Sequence, residues 1–211
     1  MQPDPGTLET ALRAAQGGDV TAFNTLVVVY QRQVFNVCYR MLGSGEDAAD
    51  ATQDALLSAF RGLKTFQGSA TGLRAWLLRI ATNACYDHLR RRQRRPADSL
   101  DALVATDPEH ETSAAARLAD PGQTPEQRSL SAETADAIQT AIDRLSPDQR
   151  LTVILCDVQG LSYDEVAETM SVELGTVKSR LSRARAQLRE LLVAKGELPT
   201  SSQRLQERNS S

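Results

Sequence analysis

Two groups of residues are spaced to meet a polyanion. Over 176–189, Lys178, Ser179, Ser182, Arg183 and Ala186 fall on one side of a helix advancing about 100° per residue. Val177, Leu181, Ala184 and Leu188 fall on the other side, with Arg180, Arg185 and Gln187 flanking them. Small Ser and Ala let a helix come close to a major groove, and Lys and Arg reach phosphates or the acceptor edge of guanine. Over 83–90, Asn83, Asp87 and Arg90 share a face at steps of four and three. Asn and Arg can read base edges, and Asp can accept from cytosine or orient an arginine. Arg91, Arg92, Arg94 and Arg95 extend this into a phosphate clamp. The plain alternatives are a solvated basic face for the later helix and an ordinary ion pair of Asp87 with Arg90 or Arg91.

A third group has the opposite sign. Asp47, Asp50 and Asp54 recur at steps of three and four, a stripe that repels DNA and suits a basic protein surface. No nucleophile–base pair, phosphate loop or metal cluster is present, so no catalytic site and no cofactor are expected. Cys85 and His88 fit one helical face as a redox or hydrolytic pair, but a small buried thiol beside a polar residue is the simpler reading. Cys38, Cys85 and Cys156 lie far apart, without the close pairs of a disulfide framework or a zinc site.

The composition sets what can position these groups. Aromatics are 4%, against abundant Ala, Leu and Arg, which favours helices over a sandwich or barrel. No apolar run approaches the ~20 residues that span a bilayer, and the start lacks a signal-peptide pattern, so a cytoplasmic chain is expected. The net charge of -3 conceals segregation: 45–59 is acidic, 74–95 basic, 97–126 acidic and 178–189 basic again. Two basic blocks around an acidic one suggest two sites on a polyanion.

The apolar periodicity predicts an all-α fold of two small helical domains. In the first, residues 1–95, a short helix ends at Gly17-Gly18, and a long one runs from Ala22 to Leu42. A third spans Glu46 to Leu63. Phe66 to Gly72 reads as a loop from its Gly, Ser and Thr, and a fourth helix runs from Leu73 towards Arg92. Residues 96–125 read as a flexible acidic linker, with a coil span of about 30 Å and a stretched reach of roughly 100 Å, so the domains could sit well apart. The second domain, 126–194, carries Leu130, Ala137, Ile138, Ala141, Ile142 and Leu145 on one helix. Pro147 opens the next, which Gly160 ends. Ser162-Tyr163-Asp164-Glu165 is a capping box for a short helix. Ser171 to Gly175 turns the chain, with Gly175 allowing close approach, into the basic helix from Thr176 to Leu192: a helix-turn-helix. Residues 195–211 read as a disordered tail.

These residues resemble a known family. Asp47 to Ala55, Trp76 to Asn83 and Asp87 to Arg92 are similar to conserved region 2 of bacterial sigma-70 family factors. Leu145 to Arg150, Gly160 to Ala167 and Gly175 to Arg185 resemble region 4. The short chain, with a linker in place of a third domain, resembles the extracytoplasmic-function (ECF) group. The resemblance implies a factor that binds core RNA polymerase and directs promoter-specific initiation, without enzymatic activity. It implies docking on the beta-prime clamp helices through Asp47, Asp50, Gln53 and Asp54. It implies recognition and opening of the -10 element by Ser69, Thr71, Arg74, Asn83, Asp87, Arg90 and Arg91. It implies reading of the -35 element by Thr176, Lys178, Ser179, Arg180, Ser182, Arg183 and Arg185. The beta flap and an anti-sigma protein complete the implied partners, and the acidic linker would thread towards the RNA exit channel. Two departures stand out: Leu73 where a Phe is common, and the small run Ser69-Ala70-Thr71-Gly72 where an aromatic or Ser is usual. The rival reading is a stand-alone helix-turn-helix repressor or activator, in which the stripe at 47–54 is only a solvated surface.

Overall fold

The computed structural model describes residues 4–94 and 125–194, and among them every regular element is a helix. The proposed linker and tail lie outside the described residues. Four helices form a first bundle: α1 (Pro5–Gln16), α2 (Val20–Leu42), α3 (Gly45–Gly62) and α4 (Ala70–Arg94), with a 3-10 turn at Leu63–Thr65. Four more form a second: α5 (Pro125–Asp143), α6 (Pro147–Val153), α7 (Tyr163–Met170) and α8 (Leu174–Ala194).

Helix α2 begins where the Asp19 carboxylate accepts the amides of Thr21 and Ala22 (2.8 and 3.1 Å). It ends at Gly43, whose φ of 74° lets its N–H turn back onto the Tyr39 carbonyl, 2.8 Å away. The Val27-Val28-Val29 run, β-like in isolation, stays helical because Phe23, Leu26, Tyr30, Val34, Val37 and Cys38 are all buried at helical spacing. Ser44 caps α3 through the Asp47 amide. The buried side of α3 is Ala48, Ala51, Ala55 and Ala59, small enough for α3 to lie close between α2 and α4. Leu73, Leu77, Leu78, Ala81 and Cys85 of α4 close this core.

Helix α4 starts three residues before the sequence signals predicted. Ala70, Thr71 and Gly72 are its first turn rather than the end of a loop. The cause is distant in sequence: the Glu9 carboxylate of α1 accepts the Ala70 amide at 2.9 Å, placing a negative charge at the helix's positive end. The loop shrinks to Phe66–Ser69, and at Gly68 an added Cβ would stand 2.4 Å from the Phe66 ring.

In the second bundle, Pro147 opens α6 as predicted, and Ser146 caps it by accepting the Gln149 amide at 3.4 Å. The chain then widens into a π turn over Ile154–Val158, where the Gln159 amide bonds the Ile154 carbonyl, five residues back. Gly160, at φ 68°, ends it. The capping box is present in both directions: Glu165 Oε2 accepts the Ser162 amide (2.8 Å) and Ser162 Oγ accepts that of Glu165 (3.3 Å). The final helix begins at Leu174, so Leu174 and Gly175 belong to it and not to the turn. A Cβ on Gly175 would meet open space, so the glycine is not there for close approach. Ser171, in the left-handed region at φ 54°, makes the reversal instead.

The two bundles are packed together instead of lying apart. Helix α4 meets α7, and the C-terminal part of α2 meets α5, α6 and the π turn. Buried residues of both belong to one contiguous apolar cluster.

Candidate nucleic-acid and protein-docking faces

Val177, Leu181 and Ala184 of α8 are fully buried against the bundle, and Leu188 packs at its edge. Lys178, Ser179, Ser182 and Arg183 are exposed, as is Ala186 between them. Ser179 Oγ donates to the Thr176 carbonyl (3.0 Å), and Thr176 itself is half-buried at the helix start. The flanking arginines behave differently. Arg180 donates to Asp148 of α6 at 2.5 Å. Arg185 grips Asp157 of the π turn with two N–H groups, at 3.0 and 2.5 Å. The hydrogen bonds to Asp157 raise the pKa of Arg185 above its ordinary value. Sequence reasoning placed both arginines beside the recognition face but missed Asp148 and Asp157. Their only local sign was acidity in a segment already explained as helix.

On α4, Asn83, Asp87 and Arg90 lie exposed along one face as predicted. Asp87 accepts from Arg90 at 3.2 Å, so the plain ion pair forms within that face. Arg91 leans towards Asp54 of α3 (3.7 Å). At the other end of α4, the Ser69 and Thr71 hydroxyls bond each other at 2.7 Å, exposed beside the Phe66 loop. Trp76 is half-buried against Phe66, with ring centroids 4.9 Å apart, and belongs to the core's rim. Arg74 is set apart from the rest: its Nε donates to Gln33 of α2 (2.7 Å) and its Nη2 to the Gln159 carbonyl of the second bundle.

The acidic stripe borders a groove that the sequence reading did not identify. Asp50, Gln53 and Asp54 are exposed on α3, and Asp47 is half-exposed at its start. Gln53 also lines a groove of about 730 Å3 between α2 and α3, floored by Val20, Phe23, Val27, Leu56, Leu57 and Phe60. Val20 is 56% exposed, Leu57 47% and Phe60 38%, a contiguous apolar surface of the kind that marks an interaction site. The available signal was Leu57 and Phe60, two large apolar residues off the alanine face of α3.

Cys85 does not form an active pair with His88. The thiol is fully buried against that of Cys38, and this hydrogen bond, with burial, pushes its pKa far above the ordinary value. His88 Nε2 instead stands 3.5 Å from Asp54 Oδ2. Among the described residues no cluster of His, Cys, Asp and Glu could hold a metal ion. No described helix is long and apolar enough to cross a membrane.

Known proteins place this arrangement. The sigma-70 region 2 family model matches residues 26–95, and that of sigma-70 region 4 matches 135–188. The chain is 39% identical over 181 residues to the ECF RNA polymerase sigma factor SigM of Mycobacterium tuberculosis, covering 86% of this chain and 82% of that one. The chain belongs to the ECF sigma factors. The sigma-E factor of Escherichia coli is 37% identical over 85% of this chain and 91% of its own. The sigma factor RpoE of Bartonella quintana, solved with the anti-sigma factor NepR, superposes with a TM-score of 0.61 at 31% identity, over 82% of this chain and 98% of that one. Like its relatives, this sigma factor serves promoter-directed transcription initiation. A stand-alone repressor, which needs only the helix-turn-helix, leaves the region 2 match unaccounted for.

Proposed function

We propose that this sigma factor docks core RNA polymerase on α3, opens and reads the -10 element along α4, and reads the -35 element with α8. Charge separation carries the reading. The acidic stripe and apolar groove lie on α3 and α2, while the two basic faces lie on α4 and α8. A surface that repels DNA is thus free for a protein while the basic faces take DNA. Asp47, Asp50, Gln53 and Asp54 would bind the beta-prime clamp helices, with Leu57 and Phe60 as apolar anchors. Ser69 and Thr71 would approach an unstacked base, and Asn83, Asp87, Arg90 and Arg91 the strand around it. Thr176, Lys178, Ser179, Ser182 and Arg183 would enter the major groove, with Arg180 and Arg185 on its phosphate walls.

The second domain would also meet the beta flap, and the acidic linker would pass towards the RNA exit channel. The chain has no enzymatic activity of its own in this reading, and it works in the cytoplasm with polymerase. An anti-sigma protein, of which the Bartonella factor has one bound in its solved complex, would block initiation here by covering the docking face on α3. Co-purification with core polymerase tests the docking face. Asp50→Lys and Leu57→Asp should each weaken it by about tenfold or more, as for charges placed in an interface hot spot. Asp50 is the cleaner choice, because Asp54 also faces His88 and Arg91. Unchanged co-purification of both variants would refute this surface.

A further inference from the structure

Helix α1 lies wholly outside residues 26–95, the span matched by the region 2 family model, yet it grips the loop before α4 at both ends. Leu12 and Ala15, both buried in the core, seat the helix. Gln16 Nε2 donates to the Phe66 carbonyl, where the loop begins (2.8 Å), and to the Leu63 carbonyl of the 3-10 turn (3.4 Å). Glu9 Oε2 accepts the Ala70 amide, where the loop ends (2.9 Å), while its Oε1 faces Arg13 one turn on (3.3 Å). A step of seven residues puts Glu9 and Gln16 on one face of α1, about 10 Å apart along its axis. The local sequence supplies no such end to the loop. Ala70-Thr71-Gly72 opens α4 with a glycine in its first turn, and the Ser69 hydroxyl is engaged with that of Thr71 (2.7 Å). The negative charge at this helix start comes from Glu9.

We propose that Glu9 and Gln16 are positioning residues for promoter reading: they brace the two ends of the Phe66–Ser69 loop and so fix where the Ser69 and Thr71 hydroxyls meet an unstacked base. Neither residue touches DNA in this scheme. Gln16 holds the backbone at Phe66, whose ring lies against Trp76. Glu9 decides that the helix begins at Ala70, which makes Thr71 a helical residue with a set direction. Ser69 and Thr71 are exposed on the short loop that results. A loop already held in its binding shape loses less conformational freedom when a base arrives, which favours the matching base over its competitors. Without the Glu9 carboxylate, the Ala70 amide loses its acceptor and the first turn frays towards Gly72, the longer loop that the local sequence favours.

The consequence for the promoter rests on the role proposed above for this loop; the brace itself does not. Trp76 is the chain's only tryptophan and lies 4.9 Å from Phe66 between ring centroids, so it reports the loop in the free full-length protein. Glu9→Ala and Gln16→Ala should each raise acrylamide quenching of Trp76 and shift its emission to longer wavelength. Glu9→Gln keeps an oxygen for the Ala70 amide and should stay near the wild type. Holoenzyme made with each variant is then tested on a promoter pool randomised through the -10 element. Glu9→Ala should lower the preference for the best base roughly fivefold at the position that Thr71→Ala also alters, as for one lost cap. Preferences elsewhere in the -10 element and in the -35 element should hold, and Glu9→Gln should restore the lost one. If α1 serves stability alone, transcription falls alike from every member of the pool, and that result overturns the proposal. Trp76 quenching that neither alanine variant changes overturns it as well. If Thr71→Ala leaves every preference intact while Glu9→Ala still loosens Trp76, the brace is upheld and the base-reading role of the loop fails.

Discussion

Helices α4 and α8 both carry a basic face, yet they position their arginines in different ways. On α4, Asp87 and Arg90 pair along the helix in the open, and Arg91 reaches loosely across to Asp54. Exposed pairs of this kind contribute about 0–1 kcal/mol, so these arginines are released at little cost when a phosphate arrives. On α8, Arg180 and Arg185 are tied to carboxylates of other elements, and Arg185 is held by two bonds. A forked pair fixes the direction of the guanidinium as well as its charge. The difference suggests a flexible clamp on α4, suited to melted strands of variable path, and a rigid frame on α8, suited to the fixed geometry of a duplex groove.

The largest effects should come from breaking the frame beneath each face. Leu181→Ala, in a side chain only 2% exposed under the recognition face, should destabilise the second domain by about 2–5 kcal/mol, read by denaturant unfolding. A loss below about 1 kcal/mol would mean that α8 is not seated as described. Arg183→Ala comes next. It should lower transcription from promoters that depend on a -35 element roughly fivefold or more, for one lost base or phosphate contact, with unfolding unchanged. Asp157→Asn should reduce the same signal less, because Arg185 stays charged but loses its fork.

The caps sharpen the comparison at a smaller scale. Ser162→Ala should cost about 1 kcal/mol. The Glu165 pKa is lowered chiefly by the Ser162 backbone amide, then by the Ser162 hydroxyl. A depressed carboxylate stabilises the fold above its ordinary value of 4.5, and this contribution is lost as pH falls through the lower folded value. Amide protection factors in α7, with the intrinsic pH dependence of exchange divided out, should therefore fall on acidification below pH 4.5 in the wild type, and less so in Glu165→Gln. The smallest effect belongs to Asp87→Asn, which should change stability by less than about 0.5 kcal/mol by denaturant unfolding. A larger loss would mean that the α4 face is structural, not held ready for DNA.

Legibility from sequence followed the range of the interactions. The capping box at Ser162, the proline start of α6 and the apolar stripe of Val177, Leu181 and Ala184 were readable because each rests on contacts within a few residues. The start of α4 was not, because Glu9 supplies its cap across 61 residues of chain. Gly175 was misread because a glycine beside a turn suggests close packing, whereas the reversal belongs to Ser171. Lys178, Ser179, Ser182, Arg183 and Ala186 are exposed as their helical phase requires, whereas Asp47, Arg74, Thr176 and Arg180 are half-buried. Which arginines were already committed to Asp148, Asp157 and Gln159 depended on how distant helices meet, which no local period encodes. The groove between α2 and α3 was missed for the same reason: it exists only once the two helices are placed side by side.

In vitro transcription on a pool of promoter fragments, with core RNA polymerase in the presence and absence of this protein, tests the central claim most directly. The account predicts defined start sites that require the protein, sharing two upstream elements, with Arg183→Ala weakening dependence on the distant element and Arg90→Ala on the near one. A protein that binds duplex DNA specifically by itself, yet neither stimulates nor co-purifies with core polymerase, would contradict it.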